Sequence, residues 1–193
     1  MHESRSKTHL REFQARLSER LRKATSTDLA ARLGLMIGDE RFLVDLSEAG
    51  EIVAIPPAIA PVPHTRDWFR GLVNLRGVLF AVSDLSRLSG GVPTPLTRES
   101  RLLAVASRLN FNAAILVSRM LGLHNIGSMR VDDSRPPDPD QPWCGRRMID
   151  NEGRNWTELS LARLTADELT AWLAGEGSRT GVVWASTTVA GTA

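Results

Sequence analysis

The apolar positions of this chain change their period once. Leu10, Phe13, Leu17, Leu21 and Ala24 recur at spacings of three and four residues, which sets them on one narrow stripe of a helix. Charged side chains fill the rest of that segment. The pattern predicts an N-terminal helix that either packs on its own domain or docks a partner. A second short helix is predicted over residues 29–33, with Asp28 as its cap and Gly34 as its stop.

Beyond Gly34 the period is that of strands. Residues 35–37 and 41–46 flank the turn residues Gly38-Asp39-Glu40, and 51–55 make a further short strand. Prolines at 56, 57, 61 and 63 then forbid both a helix and a central strand, so residues 55–63 are expected to be extended connection or edge. Trp68 and Phe69 are expected to pin the far end of that segment. In residues 71–85, Val73 and Leu75 face one way, and Leu72, Asn74 and Arg76 the other. Gly77 interrupts as a bulge or a close backbone approach would require. Residues 78–82 are apolar on both faces, which predicts a strand inside the core. Further strands are expected over 101–107, 111–117 and 121–126, and a hairpin over 143–149 and 154–159. Thr165 and Glu168 form a capping box for a helix over 166–174. The last eighteen residues are expected to be a loose tail.

Residues 43–55 (LVDLSEAGEIVAI) align without gaps on residues 114–126 (AILVSRMLGLHNI), Ser47 meeting Ser118 and Ile55 meeting Ile126. Each reads as a strand, a Ser-led turn and a strand, as two similar β units in tandem would leave behind. Many short strands with Gly and Pro turns favour barrels over an alternating β-α-β sheet.

Composition adds bounds. The 193 residues suit one domain, or two small ones sharing a core. The single cysteine, Cys144, excludes an internal disulfide framework. No apolar run is long enough to span a bilayer, so a soluble, cytoplasmic protein is expected. The sequence pI of about 9.3 overstates the basicity of the body. Residues 1–23 carry a local charge of +4 and the remainder −2, whereas a nucleic-acid reader more often carries a basic face on its fold. The expected division is a charged N-terminal helical extension over 1–33, a domain over 34–175, and a tail over 176–193.

Catalytic chemistry is hard to find. His2, His9, His64 and His124 have no metal-ligand spacing to one another or to Cys144. Cys144, between Trp143 and Gly145, reads as a packed thiol. The acidic stretch 132–142 lacks the central Gly and terminal Glu of a calcium loop. No nucleophile elbow or phosphate-binding loop occurs. No catalytic residue, metal or cofactor is therefore expected. What remains is a polar group at a strand end, Asn74, Arg76 and Gly77. If buried, Arg76 needs a partner, and Glu51 at the start of the 51–55 strand is the candidate; the alternative is an ordinary exposed Arg in a turn.

At these residues the chain resembles the CheW-like coupling family. Gly71-Leu72-Val73-Asn74-Leu75-Arg76-Gly77, followed by residues 78–85 (VLFAVSDL), is similar to the family's G-[VL]-[IV]-N-L-R-G element and the apolar strand ending in Asp-Leu. Glu51-Ile52 and Pro61-Val62-Pro63 match its upstream part, and Gly122-Leu123 echoes a later strand. The resemblance runs from about residue 35 to 164. Phe80 stands where chemotaxis members usually have Pro, and the charged extension is long; both resemble the member of type IV pilus, or twitching-motility, systems. Residues 86–100 are less family-like.

The resemblance implies an all-β fold of two five-stranded barrels sharing a hydrophobic core, with short flanking helices. It implies an adaptor without catalysis, coupling a methyl-accepting receptor to a CheA-type histidine kinase in a membrane-associated array. It would make Glu51 and Arg76 a structuring ion pair, and would put Asn74, Leu75, Arg76 and Gly77 on a receptor-facing surface. The other readings are a flagellar chemotaxis coupling protein and, from a different class, a small β-barrel that binds nucleic acid.

Overall fold

The computed structural model describes residues 31–136 and 138–166. The predicted N-terminal helix over the Leu10–Ala24 stripe, the tail over 176–193 and nearly all of the helix predicted over 166–174 lie outside the described residues. The elements are strands β1 (Ala31–Ile37), β2 (Glu40–Asp45), β3 (Ala49–Ala54), β4 (Phe69–Leu75) and β5 (Val78–Ser83), helix α1 (Leu85–Leu88), strands β6 (Arg101–Val105), β7 (Ala113–Val117), β8 (Arg119–Asn125), β9 (Arg130–Val131), β10 (Cys144–Ile149) and β11 (Asn155–Leu159), and helix α2 (Leu161–Leu164). They make two sheets, ordered β8-β1-β2-β11-β10-β9 and β3-β6-β7-β5-β4.

The all-β expectation stands, with six strands in one sheet and five in the other. The extra strand is the two-residue β9, too short to leave a period in the sequence. Both sheets curl. The edges of a flat five-stranded sheet lie about 19 Å apart, at ~4.8 Å per spacing. Here Glu51 of β3 meets Arg76, just past the end of β4, at 2.7 Å, and the proline-rich segment leaving β3 lies along β4, where Ala60 and Leu72 exchange two backbone hydrogen bonds of 2.8 Å. Gly71 permits this closure. Its φ is 123°, and a Cβ there would collide with the Ala60 carbonyl oxygen. In the larger sheet the edges β8 and β9 are joined through one 3₁₀ turn over Ile126–Ser128. The five peptide units from Asn125 to Arg130 reach at most about 18 Å, against about 24 Å between the edges of a flat six-stranded sheet.

Three apolar clusters follow. One lies between the sheets and joins Leu35, Phe42 and Val44 of the larger sheet to Leu103, Ile115 and Val117 of the smaller, with Trp68, Leu85, Trp143 and Leu161. A second fills the smaller sheet with Val73, Val82, Leu102, Ala114 and Leu116. A third fills the larger with Leu43, Met148 and Trp156.

Four local expectations change. Residues 31–33 belong to β1 rather than to a helix over 29–33, because Leu33 and Leu35 alternate into the shared core while Gly34 pairs with both Leu43 and Gly122. Gly77 is neither bulge nor close approach but the second residue of a tight hairpin turn. Residues 78–82 are not core throughout: Val78 and Leu79 are exposed, and only Val82 is fully buried, because the hairpin projects beyond the barrel. Finally, a helix that the sequence did not predict precedes Thr165: Ser160 is the N-cap of α2, accepting from the Arg163 N–H at 3.3 Å, and Thr165 stands at its other end, donating its hydroxyl to the Ala162 carbonyl.

The internal echo has a different meaning from tandem units. The turn at Ser47 carries the chain from the larger sheet (β2) to the smaller (β3), and Ser118 carries it from the smaller (β7) to the larger (β8). Both serines mark crossovers between the sheets, in opposite senses. At the first, Asp45 Oδ1 accepts from the Ser47 N–H and hydroxyl at 2.8 and 2.6 Å, and Arg108 donates to the Ser47 hydroxyl at 2.6 Å. Hydrogen bonding from Ser47 holds the Asp45 carboxyl below its ordinary value. Beside it, Glu48 Oε2 accepts from the Leu161 N–H at 2.6 Å and the Ala162 N–H at 3.3 Å. A carboxylate at the crossover thus satisfies the free donors of α2, over a hundred residues away.

Two predictions follow. Gly71→Ala should cost about 2 kcal/mol or more, because strain at positive φ adds to a backbone collision; chemical denaturation reads it. Asp150 lies in the turn between β10 and β11. Burial pushes its carboxyl up, but Trp156 Nε1 at 2.9 Å, Arg154 Nε at 2.7 Å and two backbone N–H groups outweigh that and hold it well below the carboxylate range. Its stabilisation is present above the ordinary Asp value and lost as pH falls. Asp150→Asn should therefore cost about 1–3 kcal/mol at neutral pH, and the gap to the unaltered protein should close below about pH 4 in urea titrations.

Candidate partner-binding site

The strands β4 and β5 form a hairpin with Leu75 opposite Val78, leaving Arg76 and Gly77 as a two-residue loop. Both have positive φ, 53° and 87°, the backbone of the turn that matches the right-handed twist of a hairpin. Gly77 adopts it without cost and has open space around it. Arg76 does not, and left-handed backbone at a non-glycine residue costs about 1–2 kcal/mol. Asn74 fastens the turn: its Oδ1 accepts from the Gly77 N–H at 2.8 Å. The Asn-x-Arg-Gly spacing is thus explained by a turn that needs an acceptor three residues before its glycine.

Arg76 and Glu51 come together. Arg76 Nη2 donates to Glu51 Oε1 at 2.7 Å, tying the hairpin tip to β3. The side chains are 83% and 39% exposed. A buried pair, at about 3–5 kcal/mol for breaking one side, is not what forms. A surface pair of this exposure is worth about 1 kcal/mol or less. Leu75 is half-buried and packs on the interior of the smaller sheet. Of the residues singled out in the sequence, Glu51, Asn74, Arg76 and Gly77 therefore share one exposed tip, while Leu75 anchors it from beneath.

The same tip carries exposed aliphatic residues, two of which, Val78 and Leu79, belong to the run that the sequence pattern assigned to the core. Val78, Leu79 and, next to Glu51, Ile52 are exposed at 44%, 58% and 43%. Exposed aliphatic side chains around a fixed charged pair form a surface suited to protein contact. Their signal in the sequence was hidden, because an exposed apolar strand end reads like a buried one.

At the other end of β5, Asp84 is fully buried. Its oxygens accept from the Thr94 N–H at 2.8 Å and the Thr94 hydroxyl at 2.7 Å, and Arg70 Nη1 lies 3.8 Å away. Asp84 holds the loop that follows α1 against the barrel. Cys144 is half-buried, and burial, then the charges of Glu40 and Asp138, push its thiol up to about 11, far from a nucleophile's range. Among the described residues no group of three His, Cys, Asp or Glu side chains is placed to hold a metal, and no helix is long and apolar enough to cross a membrane.

Comparison with known proteins bears on the family and the fold. The family model described as "CheW-like domain" matches residues 32–169. Protein PilI of Pseudomonas aeruginosa is 27% identical over 105 residues, 54% of this chain and 58% of that protein. A probable chemotaxis protein CheW of Rhizobium etli is 32% identical over 77 residues, 39% of this chain and 49% of that protein. The chain thus matches only about half the length of these relatives. The crystal structure of the scaffolding protein TtCheW from Thermoanaerobacter tengcongensis superposes with a TM-score of 0.58 and 21% identity, covering 70% of this chain and 91% of that one; at that identity the likeness concerns the fold. With the family model spanning well over half of its residues, the chain belongs to the CheW-like domain family.

Proposed function

We propose that this protein is a non-catalytic adaptor that couples a methyl-accepting receptor to a CheA-type histidine kinase, in a cytoplasmic array controlling type IV pilus motility. The observation that carries the reading is the hairpin tip: a strained but fastened turn, an exposed ion pair and three exposed aliphatic side chains, on a chain of the CheW-like family. Family membership and the scaffolding protein among its structural neighbours support the coupling role. The pilus output rests on the likeness to PilI. Flagellar chemotaxis is the second reading, favoured by the likeness to the Rhizobium etli protein. A genomic neighbour encoding a pilus-type receptor or pilus response regulator separates the two.

In this reading the tip meets the receptor. Arg76 and Glu51 set its shape, Asn74 and Gly77 form the turn, and Leu75 seats it on the barrel. The adaptor works by geometry: a receptor shift is passed to the kinase because both are held on one rigid body.

The first test is co-purification with a CheA-type kinase and with a receptor cytoplasmic fragment, each offered alone. Binding to both is expected, and binding to neither would end the proposal. The second separates folding from contact. Arg76→Glu should change stability by no more than about 1 kcal/mol, since the pair is exposed. It should weaken the receptor fragment's binding about tenfold, and adding Glu51→Arg should restore part of it. A double-mutant cycle with no coupling energy in binding would remove the pair from the site.

A further inference from the structure

A groove of about 300 Å³ opens at the end of the molecule opposite the hairpin tip. The six-residue β5, about 20 Å long, has the tip at its Val78 end and the groove beyond its Ser83 end. The groove is floored by buried apolar residues of the shared core, Ile37, Phe42, Leu85 and Trp143, with Val92 and Cys144 on its sides. Val92 is 73% exposed, on a loop that Asp84 and Thr94 hold in place.

The rim is acidic. Asp39 and Glu40 line it, and Glu40 and Asp138 stand close enough to Cys144 to act on its thiol, opposed more weakly by Arg147. Among the described residues, none of these three carboxylates has a salt-bridge partner. An apolar floor within a rim that holds three carboxylates calls for a basic amphipathic segment.

This chain carries one. Its first 24 residues hold a net charge of +4, arranged around Leu10, Phe13, Leu17, Leu21 and Ala24. We propose that the N-terminal segment, residues 10–24, docks its apolar stripe into this groove, with its four arginines and Lys23 against the acidic rim. The reach suffices. The strand β1 runs from Ala31 to Ile37, which lines the groove, so the segment must return about 20 Å along it. The seven peptide units from Ala24 to Ala31 extend to about 24 Å. The other terminal segment has the wrong sign: residues 167–193 hold Asp167, Glu168 and Glu176 against Arg179 alone. The inference does not depend on which partners the hairpin tip binds.

The test uses the full chain and its one cysteine. A docked segment covers Cys144, so an uncharged thiol reagent should label Phe13→Asp/Leu17→Asp at least about tenfold faster than the unaltered protein. Glu19→Ala, off the stripe, should match the unaltered rate. Equal rates for all three would overturn the proposal. So would labelling of the unaltered protein that speeds up on dilution, since the occupant would then come from a second copy. The rim is tested separately, because altering charge near Cys144 changes the thiol itself. Asp39→Asn/Glu40→Gln, at the exposed turn and the exposed first residue of β2, should speed limited trypsin cleavage after Arg16 and Arg20 several-fold; unchanged cleavage would also overturn the proposal.

Discussion

Two adjacent strands with no face toward water set the terms for the rest of the molecule. In β6 and β7, Leu103, Ile115 and Val117 point into the core between the sheets, while Leu102, Ala114 and Leu116 point the other way into the interior of their own sheet. Such a pair needs cover on both sides. A second sheet provides it on one. On the other, the strands of the same sheet must roll over it, through β4, β5 and the proline-rich segment that reaches Leu72. Two small barrels with a common wall satisfy both demands at once. The burial is decisive in energy as well: each large aliphatic side chain removed from water contributes about 1.5–3 kcal/mol, more than the exposed ion pairs offer.

A shared wall obliges the chain to pass between sheets, and polar groups gather where it does. The crossover at 46–48 is held by Asp45, Ser47 and Arg108, while Glu48 reaches on to the N–H groups of α2. The other crossover is a single residue, Ser118, whose N–H already donates to Met36 across the larger sheet at 2.8 Å. Asp84 does similar work at the end of β5, binding Thr94 with both oxygens. These carboxylates fix the course of connections that apolar burial alone would leave free.

Strand positions were legible from the sequence because alternation and continuous apolar runs report burial directly, as in 101–105 and 113–117. The closing role of residues 55–63 was half legible: proline marks extended chain, but nothing local says which strand that chain meets. The residues that order the connections were not legible. Glu48 and Asp84 act across large sequence separations, on α2 and on a loop, and a lone carboxylate looks the same whether it caps a helix or faces water. At the candidate site the Asn-x-Arg-Gly element could be found by resemblance, and Glu51 could be paired with Arg76 by charge. Exposure could not be read. Val78 and Leu79 continue the apolar run of Val82, and only the hairpin's projection beyond the barrel separates surface from core.

That projection bears on what the tip is for. An exposed ion pair of about 1 kcal/mol or less does not recover the roughly 1–2 kcal/mol that left-handed backbone costs at Arg76. The turn is kept by Asn74, by the ladder from Leu75 to Val78 and by barrel closure beneath it. The pair is therefore not what makes the fold stable. Strain held at an exposed position, beside aliphatic side chains that folding leaves in water, is what supports the proposed role of the tip as a contact surface. The barrel and the Asn74 bond supply the rigidity, so the tip keeps one shape without help from the ion pair.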